Sequence, residues 1–206
     1  MPEPRRRRGP AGRDAAAGGG VSDHRAGPGP GPRIGSLCTG YGGLDMAVEL
    51  VLGGQLTWYA ETDRHARTVL AHHWPDVPNL GDIRTVDWTG IEPVDILTAG
   101  FPCQDISNAG KRAGIGGEHS SVWTCVADAL RVLRPPLVFV ENVAALLRRG
   151  LDVVEADLAA IGYDTSWLCL RASDVGAAHR RDRLFLLAAP AEHLQRRADV
   201  ADTVCP

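Results

Sequence analysis

A cysteine in a polar turn is the first residue of this sequence that could carry out chemistry. Cys103 lies in the segment Gly-Phe-Pro-Cys-Gln, where Pro102 restricts the backbone directly before the thiol. A single cysteine is most often a small buried side chain. Burial is less favourable between a proline and a glutamine, and an accessible thiol can act as a nucleophile. We therefore treat Cys103 as a candidate nucleophile.

A glutamate that closes an apolar segment is the second candidate. Glu141 follows Leu-Val-Phe-Val and lies 38 residues after Cys103 (141 − 103 = 38). A carboxyl group is costly to bury unless it has a partner or a function. The segment His-Arg-Arg-Asp-Arg at 179–183 precedes the last apolar segment and offers cations, Arg181 and Arg183 among them, to the same site.

The segment that follows the cysteine is rich in glycine and positively charged. Residues 107–123 contain four glycines together with Lys111 and Arg112. This composition favours a lid that closes on a polyanion. An ordinary flexible loop is the alternative.

A glycine-rich turn near the start of the folded part could hold a nucleotide-like ligand. The segment Thr-Gly-Tyr-Gly-Gly at 39–43 follows an apolar segment and precedes a helical pattern, and helix N-termini favour negative charge. Glu61 lies 21 residues after Gly40 (61 − 40 = 21), where an acid can accept both hydroxyls of a ribose. The pattern suits NAD, FAD and S-adenosylmethionine almost equally, although Asp45 in place of the last glycine disfavours a dinucleotide. A simple tight turn is the other interpretation.

Asp82 and Ile83 form a further candidate pair in the segment Gly-Asp-Ile. The carboxylate could accept a hydrogen bond from an adenine amino group, and the isoleucine could cover the ring. Taken alone, an aspartate in a turn or at a helix cap is the more common explanation.

Alternating strand and helix patterns must position these residues. The apolar segments predict strands, and the segments of helical period predict helices between them; the strands are 34–38, 56–61, 94–100, 137–142 and a closing pair from 163 and at 183–189, and the helices include 44–52, 122–133 and 151–162. Such alternation predicts an α/β fold with a mostly parallel sheet flanked by helices. Ligands of such sheets bind beyond the carboxyl ends of the strands, where the candidate residues fall.

Composition limits the remaining possibilities. Residues 1–33 are rich in arginine, glycine and proline and predict a disordered tail, 34–190 predict the catalytic domain, and 191–206 a C-terminal tail. The five cysteines contain no C-x-x-C pair, which argues against a disulfide framework and a zinc site and fits a reducing compartment. Because no apolar segment approaches the ~20 residues of a membrane span, we expect a cytoplasmic protein that binds neither membrane nor metal.

Three motifs in this order resemble the DNA cytosine-5 methyltransferase family. They are Gly-Phe-Pro-Cys-Gln at 100–104, Glu-Asn-Val at 141–143 and x-Arg-x-Arg ending at Arg183, after a glycine-rich first turn, and the resemblance extends over about 34–190. It implies a Rossmann-like S-adenosylmethionine-dependent methyltransferase fold, S-adenosylmethionine as cofactor and a flipped cytosine in DNA as substrate.

The resemblance also implies a role for each matching residue. Cys103 would be the nucleophile, Glu141 would hold the ring nitrogen, and Arg181 and Arg183 would lie near the target base. The cofactor would be bound by residues of the first turn and of three later segments: Thr39, Gly40, Tyr41, Gly42, Gly43, Glu61, Thr62, Asp82, Ile83 and Pro102. The lid would contact DNA through Gln104, Ser107, Lys111 and Arg112.

The chemistry of cytosine methylation requires these residue types. Carbon 5 of cytosine becomes nucleophilic only after a thiolate adds to carbon 6. The addition moves charge toward N3, where a protonated carboxyl stabilises it, and an arginine can hold O2 and favour the thiolate.

Family members usually continue beyond the x-Arg-x-Arg strand with a target-recognition domain and two further motifs, whereas this sequence ends at Pro206. We therefore expect a separate polypeptide to carry the recognition domain. A truncated, inactive cofactor-binding remnant is the alternative. A nicotinamide oxidoreductase is disfavoured by the motif pair, and a non-catalytic DNA-binding module by the excess of acidic residues after residue 33, 22 against 15 basic ones.

Overall fold

The computed structural model describes residues 31–102 and 122–191. Within them, six strands and five α-helices alternate: β1 (Arg33–Leu37), α1 (Gly43–Leu52), β2 (Gln55–Ala60), α2 (Arg64–His73), β3 (Ile96–Ala99), α3 (Val122–Leu133), β4 (Leu137–Val143), α4 (Leu146–Arg149), α5 (Leu151–Ala160), β5 (Tyr163–Arg171) and β6 (Asp182–Pro190). Two short 3-10 turns, Trp88–Gly90 and Ala172–Val175, lie in the connections. None of the helices in these two ranges is long and apolar enough to cross a membrane.

The six strands form one sheet in the order β2-β1-β3-β4-β6-β5. The pairs β1–β2, β1–β3 and β3–β4 are parallel, whereas β6 runs antiparallel between β4 and β5. The chain turns outward from β1 to β2 and then returns to the other side of β1. This reversal opens a crevice beyond the carboxyl ends of β1 and β3, where ligands of open α/β sheets bind. The predicted fold class and the closing strand pair are confirmed.

Helices pack apolar side chains against both faces of the sheet, although most of β5 stays exposed. On one face, α3 and α5 pack Val126, Leu130 and Leu158 against the strands, and the indole of Trp123 donates a hydrogen bond of 2.8 Å to Asp157 between the two helices. On the other face, α1 and α2 contribute Val48 and Leu70. Removing this apolar surface from water is the main stabilising term of the fold.

Two boundaries differ from the sequence prediction. Arg33, assigned to the tail, begins β1, where its backbone N–H donates to Asp95 at 2.8 Å. The strand predicted at 137–142 extends one residue further, since β4 continues to Val143. Antiparallel pairing with β6, which places Glu141 opposite Phe185 and Val143 opposite Arg183, extends β4 beyond its apolar part. The residues at 1–30, 103–121 and 192–206, which include most of both predicted tails, lie outside the described part.

Candidate active site

The glycine-rich turn after β1 is held in a left-handed backbone conformation. Gly40 has φ 57° and Gly42 has φ 78°, which glycine adopts without strain. Gly42 also caps α1, and a Cβ there would lie 2.5 Å from the ring of Trp74, which directly follows α2. The turn can therefore pack this closely only with glycine at position 42.

Glu61, which directly follows β2, is directed toward this turn. Its carboxylate accepts one hydrogen bond from the N–H of Gly40 and another from the N–H of Asp63, each at 2.7 Å. Each oxygen of a carboxylate has two lone pairs. The carboxylate thus retains acceptor capacity for ligand hydroxyls while the two backbone bonds fix its orientation.

A cavity of about 300 Å³ lies between these elements. Its lining combines six of the ten predicted cofactor residues with neighbours from the same loops: Cys38, Gly40, Ala60, Glu61, Thr62, Gly81, Asp82, Ile83, Arg84, Gly100, Pro102 and Val122. Its volume is at the lower end of the range for small-molecule sites. The carboxylates of Glu61 and Asp82, with the buried side chain of Ile83, match the chemistry of a nucleoside.

The other four predicted cofactor residues do not line the cavity. Gly43 begins α1, Gly42 contacts Trp74, and the Tyr41 side chain is 64% exposed. The Thr39 hydroxyl is buried and has no hydrogen-bond partner among the described residues. These residues shape the turn, and their predicted contacts with a cofactor stay predictions.

A larger and more open concavity lies on the outer side of β2. Its volume is about 590 Å³, and it is lined by residues of β2, α2 and the loop after α2: Tyr59, Arg64, Arg67, Thr68, Ala71 and Asn79. It contains none of the predicted site residues. We assign the functional site to the smaller cavity because the candidate acids converge there.

Cys38 contributes a neutral thiol to the cavity wall. Burial, together with the smaller effect of the nearby charges of Glu61 and Asp82, raises the pKa of Cys38 to about 12. A thiolate is the reactive form of cysteine. Cys38 therefore serves as a small apolar surface and not as a nucleophile.

Glu141 and Arg183 form an ion pair next to the cavity. The guanidinium Nε of Arg183 lies 2.5 Å from the Glu141 carboxylate, with 19% and 28% of the respective side chains exposed. A Cβ built on Gly100 would lie 3.9 Å from this carboxylate and 3.3 Å from the carbonyl oxygen of Cys38. Gly100 thus lies between Cys38, which directly precedes the glycine-rich turn, and the candidate catalytic carboxyl.

Asn142 fixes the segment that leads to Cys103. Its buried side-chain amide donates a hydrogen bond of 2.9 Å to the carbonyl of Phe101, and its oxygen accepts one of 2.8 Å from the N–H of Val143. The ring of Phe101 packs against that of Trp123 at 5.2 Å. These contacts anchor Gly-Phe-Pro to β4 and α3, which gives the asparagine of the Glu-Asn-Val motif a structural role that the sequence did not reveal.

Arg181, unlike Arg183, does not form an ion pair with Glu141 within the described residues. It is exposed, its carbonyl accepts a hydrogen bond of 3.2 Å from Ala172, and within ranges 31–102 and 122–191 it has no ion pair. Cys103 and the predicted lid residues Gln104, Ser107, Lys111 and Arg112 lie outside the described residues. Over the same two ranges, no group of three or more His, Cys, Asp or Glu side chains is arranged to hold a metal ion.

A buried carboxyl beneath the site was not predicted from the sequence. Asp45, in the first turn of α1, is 1% exposed and accepts hydrogen bonds from the hydroxyls of Thr98 on β3 and Ser36 on β1. Burial raises its pKa above the ordinary value of 3.8. The carboxyl joins α1 to β1 and β3.

The strand order and the cavity at the switch point define a Rossmann-like methyltransferase fold. The chain is similar to the S. pombe Dnmt2 methyltransferase, with a TM-score of 0.66 at 19% identity over 77% of this chain and 51% of that one. It is also similar to a putative DNA modification methyltransferase encoded in an E. coli prophage, with a TM-score of 0.63 at 20% identity over 79% of this chain and 47% of that one. At these identities the likeness describes the fold.

The family profile of the C-5 cytosine-specific DNA methylases matches residues 33–201, and the chain therefore belongs to this family. The type II methyltransferase M.MspI of Moraxella sp is 35% identical over 74% of this chain and 37% of its own length. The type II methyltransferase M.HhaI of Haemophilus parahaemolyticus is 31% identical over 76% of this chain and 49% of its own length. The chain thus spans less than half the length of these two relatives. The resemblance inferred from the motifs is confirmed.

Proposed function

We propose that this chain transfers a methyl group from S-adenosylmethionine to carbon 5 of cytosine in DNA through a covalent adduct of Cys103. The observation that carries the proposal is the adjacency of two parts of the site. The acid-lined cavity and the Glu141–Arg183 pair lie on either side of Gly100, in a chain of the cytosine-5 methylase family.

The cavity suits the proposed cofactor, which supplies an electrophilic methyl group when bound. Glu61 would accept hydrogen bonds from the ribose hydroxyls, Asp82 would accept one from the adenine amino group, and Ile83 would cover the ring. Cys38 offers a neutral apolar contact, because its raised pKa keeps the thiol protonated at neutral pH. All four side chains line the same cavity.

The catalytic steps would fall to the residues on the other side of Gly100. Cys103 would add to carbon 6 of a flipped cytosine and make carbon 5 nucleophilic. Glu141 would hold N3 as charge develops there, and Arg183 would hold O2. Because these two side chains are paired 2.5 Å apart, the arriving base must share or replace their ion pair. After transfer, loss of the carbon 5 proton would release the thiolate.

Recognition of a target sequence is proposed to come from a separate polypeptide. The chain matches 37% and 49% of the lengths of M.MspI and M.HhaI, so more than half of each relative has no counterpart in the alignment. A chain that binds the cofactor but performs no chemistry is the alternative function. Methyl transfer by the chain, on its own or after addition of the recognition polypeptide, would support the enzyme. No transfer under either condition would support the inactive chain.

The test is transfer of labelled methyl groups to mixed-sequence DNA by the purified chain, with the product identified by mass spectrometry. We expect 5-methylcytosine from the wild type and none from Cys103→Ala. Cys169→Ala is the matched control, because Cys169 is exposed on β5, far from the cavity in sequence and absent from its lining. Methylation by Cys103→Ala at the wild-type rate would refute the covalent mechanism.

A further inference from the structure

Both acids that line the cavity lie outside the regular strands and helices, so other contacts must hold them in place. Glu61 directly follows β2, and Asp82 lies in the connection between α2 and β3. Backbone pairing between these segments is short. Tyr59 donates to the carbonyl of Pro78 at 3.1 Å and accepts from Leu80 at 2.7 Å, and this bridge between Tyr59 and Asn79 does not extend into a strand.

The side chain of Asn79 continues the pairing where the backbone bridge ends. Its oxygen accepts hydrogen bonds from the N–H of Glu61 at 3.1 Å and from the N–H of Gly81 at 2.9 Å. Its amide nitrogen donates one of 3.1 Å to the carbonyl of Glu61. One primary amide therefore satisfies both backbone groups of Glu61 and the first donor of the Gly-Asp-Ile turn.

We propose that Asn79 is a positioning residue that sets the spacing between the Glu61 and Asp82 carboxylates for a ribonucleoside ligand. By holding Glu61 and Gly81 through a single oxygen, it couples the end of β2 to the start of the second acid-bearing segment. Gly81 has φ 79°, so the turn that carries Asp82 changes direction at the residue that Asn79 holds. The proposal rests on the proposed cofactor function and names a residue that acts on the ligand only through its neighbours.

Only asparagine has the required groups at this length. An aspartate keeps the acceptor, loses the donor and sets a negative charge against the carbonyl of Glu61. A glutamine has the same amide displaced by one methylene group. An alanine leaves all three backbone groups of Glu61 and Gly81 without these partners, and an unmade bond to a part-buried group costs more than the bond contributes.

The test measures binding of S-adenosylhomocysteine, and of its 2′,3′-dideoxy analogue, to the full chain by isothermal titration calorimetry. For Asn79→Ala we expect binding of the ribose-containing ligand about tenfold weaker or more, the equivalent of losing one well-oriented hydrogen bond. For the dideoxy analogue, which has no hydroxyls for Glu61, wild type and variant should differ much less. Asn79→Asp should give an intermediate loss and serves as the second variant if Asn79→Ala does not fold.

Thr57→Val is the matched control. The Thr57 hydroxyl donates a hydrogen bond of 2.9 Å to the carbonyl of Ile34, so its loss removes a side-chain contact of β2 without touching Glu61. We expect a lowered unfolding temperature and unchanged affinity. Equal affinity of wild type and both Asn79 variants for S-adenosylhomocysteine would overturn the positioning role. An equal loss for both ligands would do the same, because it would indicate general destabilisation. A wild-type chain that binds neither ligand would instead overturn the proposed function, and this inference with it.

Discussion

Replacing Asp45 by asparagine should change how the stability of this protein depends on pH. The carboxyl is 1% exposed and accepts hydrogen bonds from Thr98 and Ser36, and burial raises its pKa above 3.8. The folded chain therefore keeps this proton to a higher pH than the unfolded chain does. The contribution of Asp45 to the free energy of unfolding is fully present below the unfolded pKa. It is lost as the pH rises from the unfolded pKa to the folded pKa. Asparagine does not titrate, so this contribution disappears.

The size of the effect follows from the same contacts. Each unit by which the pKa is raised corresponds to about 1.4 kcal/mol of stability lost across the window. Asparagine keeps an acceptor oxygen for Thr98, so we expect Asp45→Asn to gain stability relative to wild type as the pH rises. Asp45→Leu removes the acceptor from two buried hydroxyls, at about 1–3 kcal/mol each. The carbonyl of Gly35, 3.3 Å from the Thr98 hydroxyl, offers a substitute acceptor, so only the Ser36 hydroxyl loses its partner and about 1–3 kcal/mol in total is expected.

Urea unfolding monitored by tryptophan fluorescence from just below pH 3.8 to pH 8 measures these differences, since the window starts at the unfolded pKa and the chain has five tryptophans. Other titrating groups cancel when variant and wild type are compared at each pH. Asp152→Asn, in the exposed first turn of α5, is the control for the substitution itself. If the difference in unfolding free energy between wild type and Asp45→Asn stays constant across this range, the assignment of a raised pKa to Asp45 is wrong.

Three further predictions concern the site. Glu141→Gln should lower the single-turnover rate about 100-fold or more without changing the unfolding midpoint. Arg183→Lys should also lower this rate, because lysine keeps the charge but not the planar group that contacts Glu141. An unchanged rate in rapid-quench experiments would remove the substituted residue from the mechanism. At pH 8, iodoacetamide should modify Cys38 far more slowly than the exposed Cys169, since the pKa of Cys38 is raised to about 12; peptide mapping that found comparable rates would contradict the burial of this thiol.

The candidate site was predicted in large part because its residues follow apolar segments. Glu61 and the Gly-Asp-Ile and Gly-Phe-Pro segments lie at strand ends or in the loops between strands, and parallel strands direct their carboxyl ends to one edge. The cavity at this edge is lined by six of the predicted cofactor residues. Spacing and residue type were sufficient to predict that these six residues lie at one edge of the sheet, because both the strand pattern and the family motifs are local properties of the chain.

Other features depend on contacts that no local pattern encodes. Asn79 and Asp45 stand in segments with ordinary turn or helix composition, and their partners lie 18 and 53 residues away in sequence. Of the two predicted arginines, Arg183 is the one that pairs with Glu141 within the described residues. Antiparallel pairing places Arg183 on β6 opposite Val143, within reach of Glu141. A single residue of register shift would direct its side chain to the other face of the sheet.

By itself, the sequence determined that this is an α/β protein of the cytosine-5 methylase family, and it predicted which segments carry the candidate reactive groups. The tertiary structure decided which of those groups meet. It inserted β6 between β4 and β5, which pairs Glu141 with Arg183, and it placed the Cys38 thiol in a cavity where burial keeps it protonated. Residue type and spacing are properties of the sequence, whereas register, burial and long-range hydrogen bonds exist only once the strands have paired.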